Sequence, residues 1–573
     1  MTVEAPPRGI DVLELEKLPA PRSPKKRRRP ATARRFWMTA VVVAVVASAL
    51  SLGVGRQELL NSGGWPMVRR FFAAALNPVL TPEFLRLTWD ASLTTVAYAS
   101  VGTALSVAFG LVFGVLVSQT WWGLDSGGRR TLWSRGGWLG ARGLLGLPRG
   151  VHEVVWGLFL VSVLGLDPLV GVLAIGIPFG AVTAKVFSEL LDEAPGHAFR
   201  ALRASGAGRI KAFAYALGPE AFPDLLSYSF YRFECAVRAA AILGLIGAGG
   251  LGYQISLSFY SLNYEEVWTL IYALVIISGL VDLWSTLLRR PNRNRFRVRP
   301  QGECGSGPAM QRDRFVNLSL AGFVLLVGVC TWHLGLSISN LWSPRTRGLL
   351  GDIAVQAFPP DFSAAALSSL WGLSLETVAM SVVAIALSTV LSVGMAFVAA
   401  RTVGDAGAGH GSAAALAALA SRAVLLFFRA IPPPVWALVV LFVFLPGPLP
   451  GAIALGLYNF GILGRLMAEV VENLDSRPVK ALQAQGTVGA RSFAYGVLPL
   501  TLPRFGGFSL YRWEVTMREV VVVGVVGAGG LGRLLSAQLN AFDYRGLVST
   551  LLALVALTLF ADVVGASVRR AIR

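Results

Sequence analysis

The sequence contains the same pattern twice, with a constant separation of 280 residues. The tetrapeptide Tyr-Arg-Phe-Glu at 231–234 returns as Tyr-Arg-Trp-Glu at 511–514. The hexapeptide Gly-Ala-Gly-Gly-Leu-Gly at 247–252 returns unchanged at 527–532. A constant offset across such a distance indicates two copies of one fold in a single polypeptide. Any function of this chain must therefore use a pair of similar halves.

The composition indicates a membrane protein. Hydrophobic residues make up 54% of the chain and charged residues only 14%, whereas a soluble protein carries roughly a quarter charged residues. The apolar residues come in runs of roughly the 20 that cross a bilayer as a helix. The alternating pattern of an outer-membrane barrel is absent. We therefore predict an all-α polytopic membrane protein with about 12 transmembrane helices, arranged as two parallel six-helix repeats.

The apolar runs divide into six predicted spans in each half. In the first half these spans are 36–55, 90–119, 142–166, 168–191, 222–248 and 264–288. In the second half they are 316–336, 371–400, 422–445, 450–473, 502–528 and 545–567. The predicted organisation is a disordered basic tail at 1–35, a first repeat at 36–290, a basic linker at 291–315 and a second repeat at 316–573. The first run also resembles a signal peptide, but we favour an uncleaved helix because its counterpart begins inside the chain.

Positive charges are concentrated on one side of this arrangement. With the N-terminus inside, the inner segments hold most of the 51 Lys and Arg residues, the outer segment 249–263 has none, and 529–544 has only Arg533. Because loop Lys and Arg residues stay on the cytoplasmic side, we predict a multi-pass protein of the cell (inner, cytoplasmic) membrane with both termini cytoplasmic. The basic run at 25–29 then contacts anionic membrane lipids rather than nucleic acid.

Motifs for catalysis and for cofactors are missing from the sequence. The Gly-x-Gly-x-x-Gly pattern at 247–252 indicates a dinucleotide site only after a strand, and here it follows a predicted span. Its glycines are expected instead to allow close backbone approach or a turn at the membrane surface. No phosphate-cradling loop, nucleophile–base arrangement or cluster of metal ligands occurs. We therefore expect no enzyme activity, no metal site and no cofactor on this chain.

Three ionisable residues lie within the predicted fifth span of each half. They are Arg232, Glu234 and Arg238, and their counterparts Arg512, Glu514 and Arg518. Such residues are costly in a bilayer and usually face protein or a watery path. The glutamate and the second arginine of each set are four apart, on one helix face, and could neutralise each other. The first arginine lies off that face. The six residues could line a path for an oxyanion, or they could brace the bundle or a gate.

The two halves differ at some matching positions. Asn459 stands opposite Phe179 in the alignment of the halves, and Glu519 stands opposite Ala239. These differences are compatible with an asymmetric path lined unequally by the halves, and also with simple drift. Lys185 and Arg465, again 280 apart, lie near the ends of their spans, where snorkelling to the interface is the favoured interpretation.

A short cytoplasmic helix is predicted after the fourth span of each half. Small residues favour the helix, a glycine interrupts it, and a proline begins the next element. The residues concerned are Ala201, Ala204, Gly206 and Pro219, and in the second half Ala481, Ala484, Gly486 and Pro499. This pattern resembles the Glu-Ala-Ala-x-x-x-Gly coupling loop of ABC importer permeases, in which a short helix docks on a partner ATPase. The glutamate position holds Arg200 in one half and Lys480 in the other, and the Leu-Pro end is complete only at 498–499.

The segments 227–252 and 508–532 resemble the phosphonate-type permease family, and the resemblance covers about 82–290 and 360–570. It implies a type I ABC importer permease fold and a membrane channel for phosphonates or related phosphorus oxyanions. It also implies two partner ABC ATPase subunits, which carry ATP and Mg, and an extracytoplasmic substrate-binding protein. This chain would then fuse two permease domains that most members supply as separate subunits.

Other interpretations stay open at this level. Importers of inorganic phosphate or phosphite have the same architecture. A secondary transporter with six-plus-six repeats has the same gross topology but needs no ATPase. A membrane scaffold or sensor needs neither a hydrophilic path nor ATPase partners. The recurrence of the coupling-type pattern in both halves favours the ABC permease.

Overall fold

The computed structural model describes residues 31–55, 61, 63–123, 132–289, 314–400, 412–487 and 490–572. Most of the predicted tail at 1–35 and of the linker at 291–315 lies outside these ranges. The helices of the first half are α1 (Ala31–Ser51), α2 (Trp65–Ala74), α3 (Pro82–Val117), α4 (Leu132–Leu144), α5 (Glu153–Leu164), α6 (Pro168–Glu193), α7 (His197–Ala204), α8 (Gly218–Leu243), α9 (Gly250–Tyr260) and α10 (Tyr264–Arg289). Those of the second half are α11 (Arg314–Leu334), α12 (Pro344–Gln356), α13 (Ala364–Ala399), α14 (Ser412–Ala430), α15 (Pro433–Val440), α16 (Pro448–Glu472), α17 (Arg477–Ala484), α18 (Leu498–Val523), α19 (Gly530–Asn540) and α20 (Tyr544–Ile572).

The number of spans agrees with the prediction. Within the described residues, 7 helices are long and apolar enough to cross a membrane, and 4 bent helix pairs raise the number to as many as 11. The shorter apolar part of α1, Arg35–Ser51, adds a further candidate. The described ranges contain no β-strand. The predicted all-α class with about 12 spans is therefore confirmed.

The ends of α6 show how side chains set the boundaries of a span. Asp167 caps its first turn, since its Oδ1 accepts a hydrogen bond from the Leu169 backbone N–H at 2.8 Å, and Pro168 occupies a position where no backbone donor is needed. Near the other end, Asp192 accepts hydrogen bonds of 2.6–3.0 Å from Ser118, Gln119 and Thr120. These bonds join the end of α3 to α6.

The third predicted span of each half, at 142–166 and at 422–445, is a pair of helices with a bend between them rather than one continuous helix. The first-half pair bends by 81° and the second-half pair by 92°. In the second half the break falls at Pro432 and Pro433, which lack the N–H that a continuous helix requires. In the first half Val151 is extended, and the His152 side chain accepts a hydrogen bond from the Val154 backbone N–H at 3.3 Å, which caps the new helix.

The fifth span of each half begins earlier than predicted. Its first helical residues are Arg209–Ala212 and Ala490–Ser492, and a π-helical turn follows at Phe213–Leu217 and at Phe493–Val497. The sequence pattern suggested that Pro219 and Pro499 begin the span, but helical residues precede both prolines. Each proline follows a π-helical turn after one intervening residue. The pattern of backbone hydrogen bonds changes there, so the missing proline N–H is tolerated.

The glycine hexapeptides make both of the expected features, a turn and a close backbone approach. The helices on either side of each hexapeptide meet at 55° in the first half and 63° in the second. Gly247 and Gly527 have φ of +99° and +98°, a conformation that favours glycine. A Cβ atom at Gly252 would overlap the backbone carbonyl oxygen of Ala241. Only glycine therefore allows α9 to fold back against α8.

Replacement of Gly252 by alanine is expected to destabilise the protein by about 1–3 kcal/mol, because backbone atoms must move to accommodate the methyl group. The measurement is thermal unfolding of the purified chain in detergent. Gly372→Ala is the matched control, since a Cβ at Gly372 in α13 meets open space, and its melting temperature should stay close to that of the original protein. Equal melting temperatures for both variants would contradict the packing assigned to Gly252.

The first helices of the two halves are exchanged in space. Helix α1 packs against α13 and α20 of the second half, whereas α11 packs against α3 of the first half. Phe323 of α11 lies 5.3 Å from Phe233 between ring centroids, and Trp284 Nε1 donates a hydrogen bond to Ser319 Oγ at 3.2 Å. The first helix of each half therefore packs against the other half. The division of the sequence into repeats at 36–290 and 316–573 stays a prediction.

The largest hydrophobic core also contains residues from both halves. Phe71, Tyr264 and Trp268 pack there with Trp436 and with partly buried Phe442. The backbone N–H of residue 61 donates a hydrogen bond to the carbonyl of residue 443 at 2.7 Å. The halves therefore form one packed body, and α8 and α18 face a shared interior space.

Candidate functional site

A cavity of about 380 Å³ lies between the two halves. Its lining comes from α5, α6 and α8 of the first half and from α16, α18 and α20 of the second. The cationic side chains at this surface are Arg149, Lys185, Arg232, Arg238, Arg512 and Arg518. The carboxylates are Glu153, Glu189, Glu514, Glu519 and Asp562. A polar chamber of this kind inside an apolar bundle offers ionic groups to a small solute.

The structure brings together five of the six charged residues predicted from the fifth spans. Arg232, Arg238, Arg512, Glu514 and Arg518 all line the cavity. The sixth, Glu234, belongs instead to a cluster of ion pairs between the halves, described below. The sequence prediction therefore identified residues of one site, but not their partners.

Arg512 is held by two side chains of its own half. Its Nε and Nη2 donate hydrogen bonds to Asn459 Oδ1 at 2.8 and 2.5 Å. Its Nη2 also donates to Glu519 Oε1 and Oε2 at 2.9 and 3.1 Å. Asn459 is fully buried and Arg512 is 8% exposed. The buried charge of Arg512 is thus neutralised by a carboxylate, and its Nε and Nη2 are occupied by hydrogen bonds.

Arg232 occupies the matching position in the first half and has a different environment. It is also 8% exposed. Its Cζ lies 3.8 Å from the centre of the Phe179 ring, a cation–π arrangement. Its Nε is buried without a hydrogen-bond partner. Within the part of the chain that the structure describes, no carboxylate lies within ion-pair distance of this guanidinium.

The contrast between the two arginines is explained by the two sequence differences noted above. Asn459 and Glu519 hold Arg512, whereas the matching residues, Phe179 and Ala239, offer Arg232 neither an amide nor a carboxylate. The differences therefore change the environment of one charged residue of the pair. The cavity is correspondingly asymmetric, although the fold is duplicated.

Four residues form an ion-pair cluster that joins the halves, which we call the first cluster: Glu234, Asp282, Arg429 and Arg465. Arg429 lies 2.9 Å from Glu234 and 2.8 Å from Asp282 between nitrogen and oxygen atoms. Arg465 also pairs with Asp282. The predicted local partner of Glu234, Arg238, is farther away at 3.7 Å. The favoured snorkelling interpretation does not describe all the contacts of Arg465, because its guanidinium pairs with partly buried Asp282 as well as with exposed Glu469.

The counterparts of Glu234, Asp282 and Arg429 form a looser second cluster together with Arg569: Glu514, Asp562, Arg149 and Arg569. Lys185, which matches Arg465, pairs instead with Glu189 at 3.9 Å. Arg149 lies 3.7 Å from Asp562, and Glu514 pairs with Arg569 of its own half. Arg518 donates a hydrogen bond to the Arg149 carbonyl oxygen at 2.9 Å. The expected pairing of Glu514 with Arg518 is therefore not formed. The ion pairs of the second cluster are therefore arranged differently from those of the first, although three of its four residues correspond.

Sequence reasoning missed two pairs of residues in these clusters. Arg149 and Arg429 are 280 residues apart, and so are Asp282 and Asp562. All four stand within or beside apolar helices, where an ionisable side chain indicates a specific role. The constant offset was a sufficient signal to find them.

The predicted coupling segments form exposed helices that end at their glycines. No residue of α7 or α17 is buried. Gly206 and Gly486 have φ of +89° and +83°. After α7, the N–H groups of Gly206 and residue 207 donate to the carbonyls of residues 203 and 202. The same two bonds follow α17. This is the Schellman motif, which requires a left-handed residue at the position of the glycine.

Two helical repeats around a charged cavity, each with an exposed helix and glycine stop, define the chain as a membrane permease. The family described as binding-protein-dependent transport system inner membrane component matches residues 140–297 and 407–573, more than half of the chain. The chain belongs to this family. It is the multi-pass permease of an ABC importer in the inner membrane, not an enzyme, and such permeases act with ATPase and substrate-binding partners. One match in each half confirms that two permease domains are fused.

The chain is also similar to individual permeases. It is 28% identical over 415 residues to the phosphate-import permease protein PhnE of Mycolicibacterium smegmatis, which covers 71% of this chain and 73% of that protein. It is 33% identical over 251 residues to the phosphite transport system permease protein PtxC of Stutzerimonas stutzeri, with 44% and 86% covered. A chain of the methionine ABC transporter MetNI in inward-facing conformations is 20% identical, with a TM-score of 0.34, and 37% of this chain and 99% of that chain are covered.

Proposed function

We propose that this chain moves a phosphorus oxyanion, either a phosphonate or inorganic phosphate or phosphite, into the cytoplasm. The observation that carries the proposal is the cavity between the halves, which six cationic side chains line. Arginine donates charge-assisted hydrogen bonds to phosphate-type oxygens, often in pairs. The similarity to permeases named for phosphate and phosphite supports the same class of substrate.

The cavity also offers neutral donors for such an anion. Tyr228, Tyr231, Tyr458 and Tyr511 contribute to its lining. A tyrosine hydroxyl donates a hydrogen bond without adding charge. A mixed set of cations, carboxylates and hydroxyls holds an anion less tightly than cations alone, which suits a path from which the solute must leave.

In the proposed cycle, an extracytoplasmic binding protein delivers the anion to the outer face. Two ATPase subunits, which carry ATP and Mg, dock on α7 and α17 at the cytoplasmic side. The positive residues of the loops support a cytoplasmic location for both termini. ATP binding then opens the cavity to the outside, and hydrolysis returns it to the inward-open state. Arg232, Arg238 and Arg518 line the path, while Glu234 and Glu514 belong to the ion-pair clusters beside it.

Uptake assays test the proposal. Labelled phosphate, phosphite and methylphosphonate are supplied side by side to cells with the gene, without it, and without it but carrying a plasmid copy. We expect loss of uptake of at least one of these anions on deletion, and its return with the plasmid. The anion that is lost identifies the substrate. Unchanged uptake of all three would reject the substrate class.

A further inference from the structure

We propose that Arg232, and not its counterpart Arg512, is the arginine that binds the transported oxyanion, so that the permease has one anion site displaced to the first half of the cavity. The inference rests on the proposed function for the identity of the anion. It assigns different roles to two residues that the duplicated sequence makes equivalent. Arg512 acts as a structural residue.

The first step concerns the unsatisfied charge of Arg232. Its side chain is more than nine-tenths buried, and its Nε lacks a hydrogen-bond partner. A buried cation is unfavourable unless an opposite charge and acceptors accompany it. Among the described residues, no carboxylate lies within ion-pair distance of this guanidinium, and Glu153 of the same cavity stands farther away. An anion in the cavity would supply both.

The second step concerns the donors that Arg232 keeps available. A guanidinium is planar and carries five N–H donors along its edges. The Phe179 ring lies 3.8 Å from Cζ, and this cation–π contact stabilises the charge of the guanidinium. Within the described residues no oxygen accepts a hydrogen bond from Nε, so the contact with the ring leaves the arginine able to donate to an oxyanion.

Arg512 provides an internal comparison. There, the two oxygen atoms of Glu519 lie 2.9 and 3.1 Å from Nη2, and Asn459 Oδ1 accepts from two nitrogen atoms. A carboxylate and a phosphorus oxyanion are recognised by the same donor edge of arginine. Glu519 therefore takes at Arg512 the role that the transported anion takes at Arg232.

The neighbouring hydroxyls are also unequal. Tyr228 and Tyr231 stand one turn and one residue before Arg232 on α8, and both line the cavity. The residue that matches Tyr228 in the second half is Phe508, which has no hydroxyl. On the helix of its free arginine, the first half therefore offers two tyrosine donors. The second half offers only Tyr511 on the helix of Arg512, with Tyr458 added from α16, and its arginine is already held by its own carboxylate.

The test uses the purified full-length chain and measures how far added phosphate, phosphite, methylphosphonate or sulfate raises its melting temperature in detergent. Binding to the folded state stabilises it in proportion to occupancy. We expect Arg232→Gln to raise the phosphate concentration for half-maximal effect by roughly tenfold to a hundredfold, as expected for lost charge-assisted hydrogen bonds. The paired variant Arg512→Gln with Glu519→Gln removes both charges of the second-half pair, and it should keep the original phosphate dependence while lowering the melting temperature without anion.

A second variant keeps Arg232 but gives it the partners of Arg512. Phe179→Asn combined with Ala239→Glu places an amide and a carboxylate at the matching positions of the first half. We expect this protein to fold, to lose the anion-dependent rise in melting temperature, and to lose uptake in cells. This variant tests the role of Arg232 even if Arg232→Gln does not fold, because the arginine and its charge stay in place.

Two results would overturn the inference. One is an unchanged phosphate dependence in Arg232→Gln or in the transplanted variant. The other is loss of that dependence in the paired Arg512 and Glu519 variant alone. Failure of the proposed function is distinct, since it appears as absence of uptake by the original protein. A response of the purified chain to sulfate but to none of the phosphorus anions would likewise reject the substrate class while retaining the assigned arginine.

Discussion

Replacement of both Gly206 and Gly486 by valine is expected to reduce transport strongly while the chain still inserts into the membrane. Both glycines have a positive φ, and a β-branched residue in that conformation costs about 1–3 kcal/mol. A Cβ at either position meets no atom of the chain within 4 Å. The substitution therefore disturbs only the ends of the exposed helices α7 and α17, where the ATPase subunits are proposed to dock.

The expected loss of uptake is at least roughly tenfold, because a change of 1.4 kcal/mol in docking corresponds to that factor. The matched control is the double variant with asparagine, which tolerates the left-handed conformation and should keep most of the uptake. Membrane content is followed by immunoblot, and ATP hydrolysis by the reconstituted transporter separates lost docking from lost assembly. Normal uptake by the valine variant would reject the coupling assignment of both segments.

Replacement of Arg429 by methionine is expected to destabilise the permease by up to about 3–5 kcal/mol, because it removes the nearest cation from buried Glu234 and one of the two cations that pair with Asp282. Arg429 is 6% exposed and lies 2.9 Å from Glu234 and 2.8 Å from Asp282. Methionine has a similar length, so the main change is the loss of charge and hydrogen bonds. The effect is measured as a fall in melting temperature in detergent.

Arg149→Met is the control that the duplicated fold provides. Arg149 matches Arg429, but it lies 3.7 Å from a partly exposed Asp562, and such a pair contributes only about 0–1 kcal/mol. We expect the Arg149 variant to melt close to the original protein. Equal falls in melting temperature for the two variants would contradict the conclusion that the ion pairs of Arg429 are stronger than the ion pair of Arg149.

The addition of Glu234→Gln to Arg429→Met distinguishes a charge effect from a packing effect. Because the neutral amide no longer requires a cation, the double variant should recover part of the lost stability. A double variant less stable than Arg429→Met alone would show that Arg429 acts mainly through its packing.

The asymmetry of the site has a consequence for how duplicated permeases evolve. Fusion of two halves in one chain permits each half to change independently. In this protein the second half has Asn459 and Glu519 beside its arginine, whereas the first half has Phe179 and Ala239 at the matching positions. A dimer of identical chains would have the same residues at both positions. The fused chain can therefore use one arginine for stability and the other for a ligand.

Much of the protein was determined by the sequence alone. The duplication, the all-α class, the number of spans and the stop of the short helices at Gly206 and Gly486 all follow from local patterns. The physical reason is that a membrane helix satisfies its backbone hydrogen bonds within its own segment. Run length and single residues such as glycine then define each element without reference to the rest of the chain.

Only the tertiary structure decided the contacts between those elements. It placed α1 against α13 and joined Glu234 to Arg429 across 195 residues of sequence. It also showed that Glu519 neutralises Arg512 while Arg232 faces the cavity beside Phe179. A charged residue in a span indicates that a partner exists, but the energy of the pair depends on the distance between the charges and on their burial. The packing of the helices sets both quantities, and this packing cannot be read from a local sequence pattern.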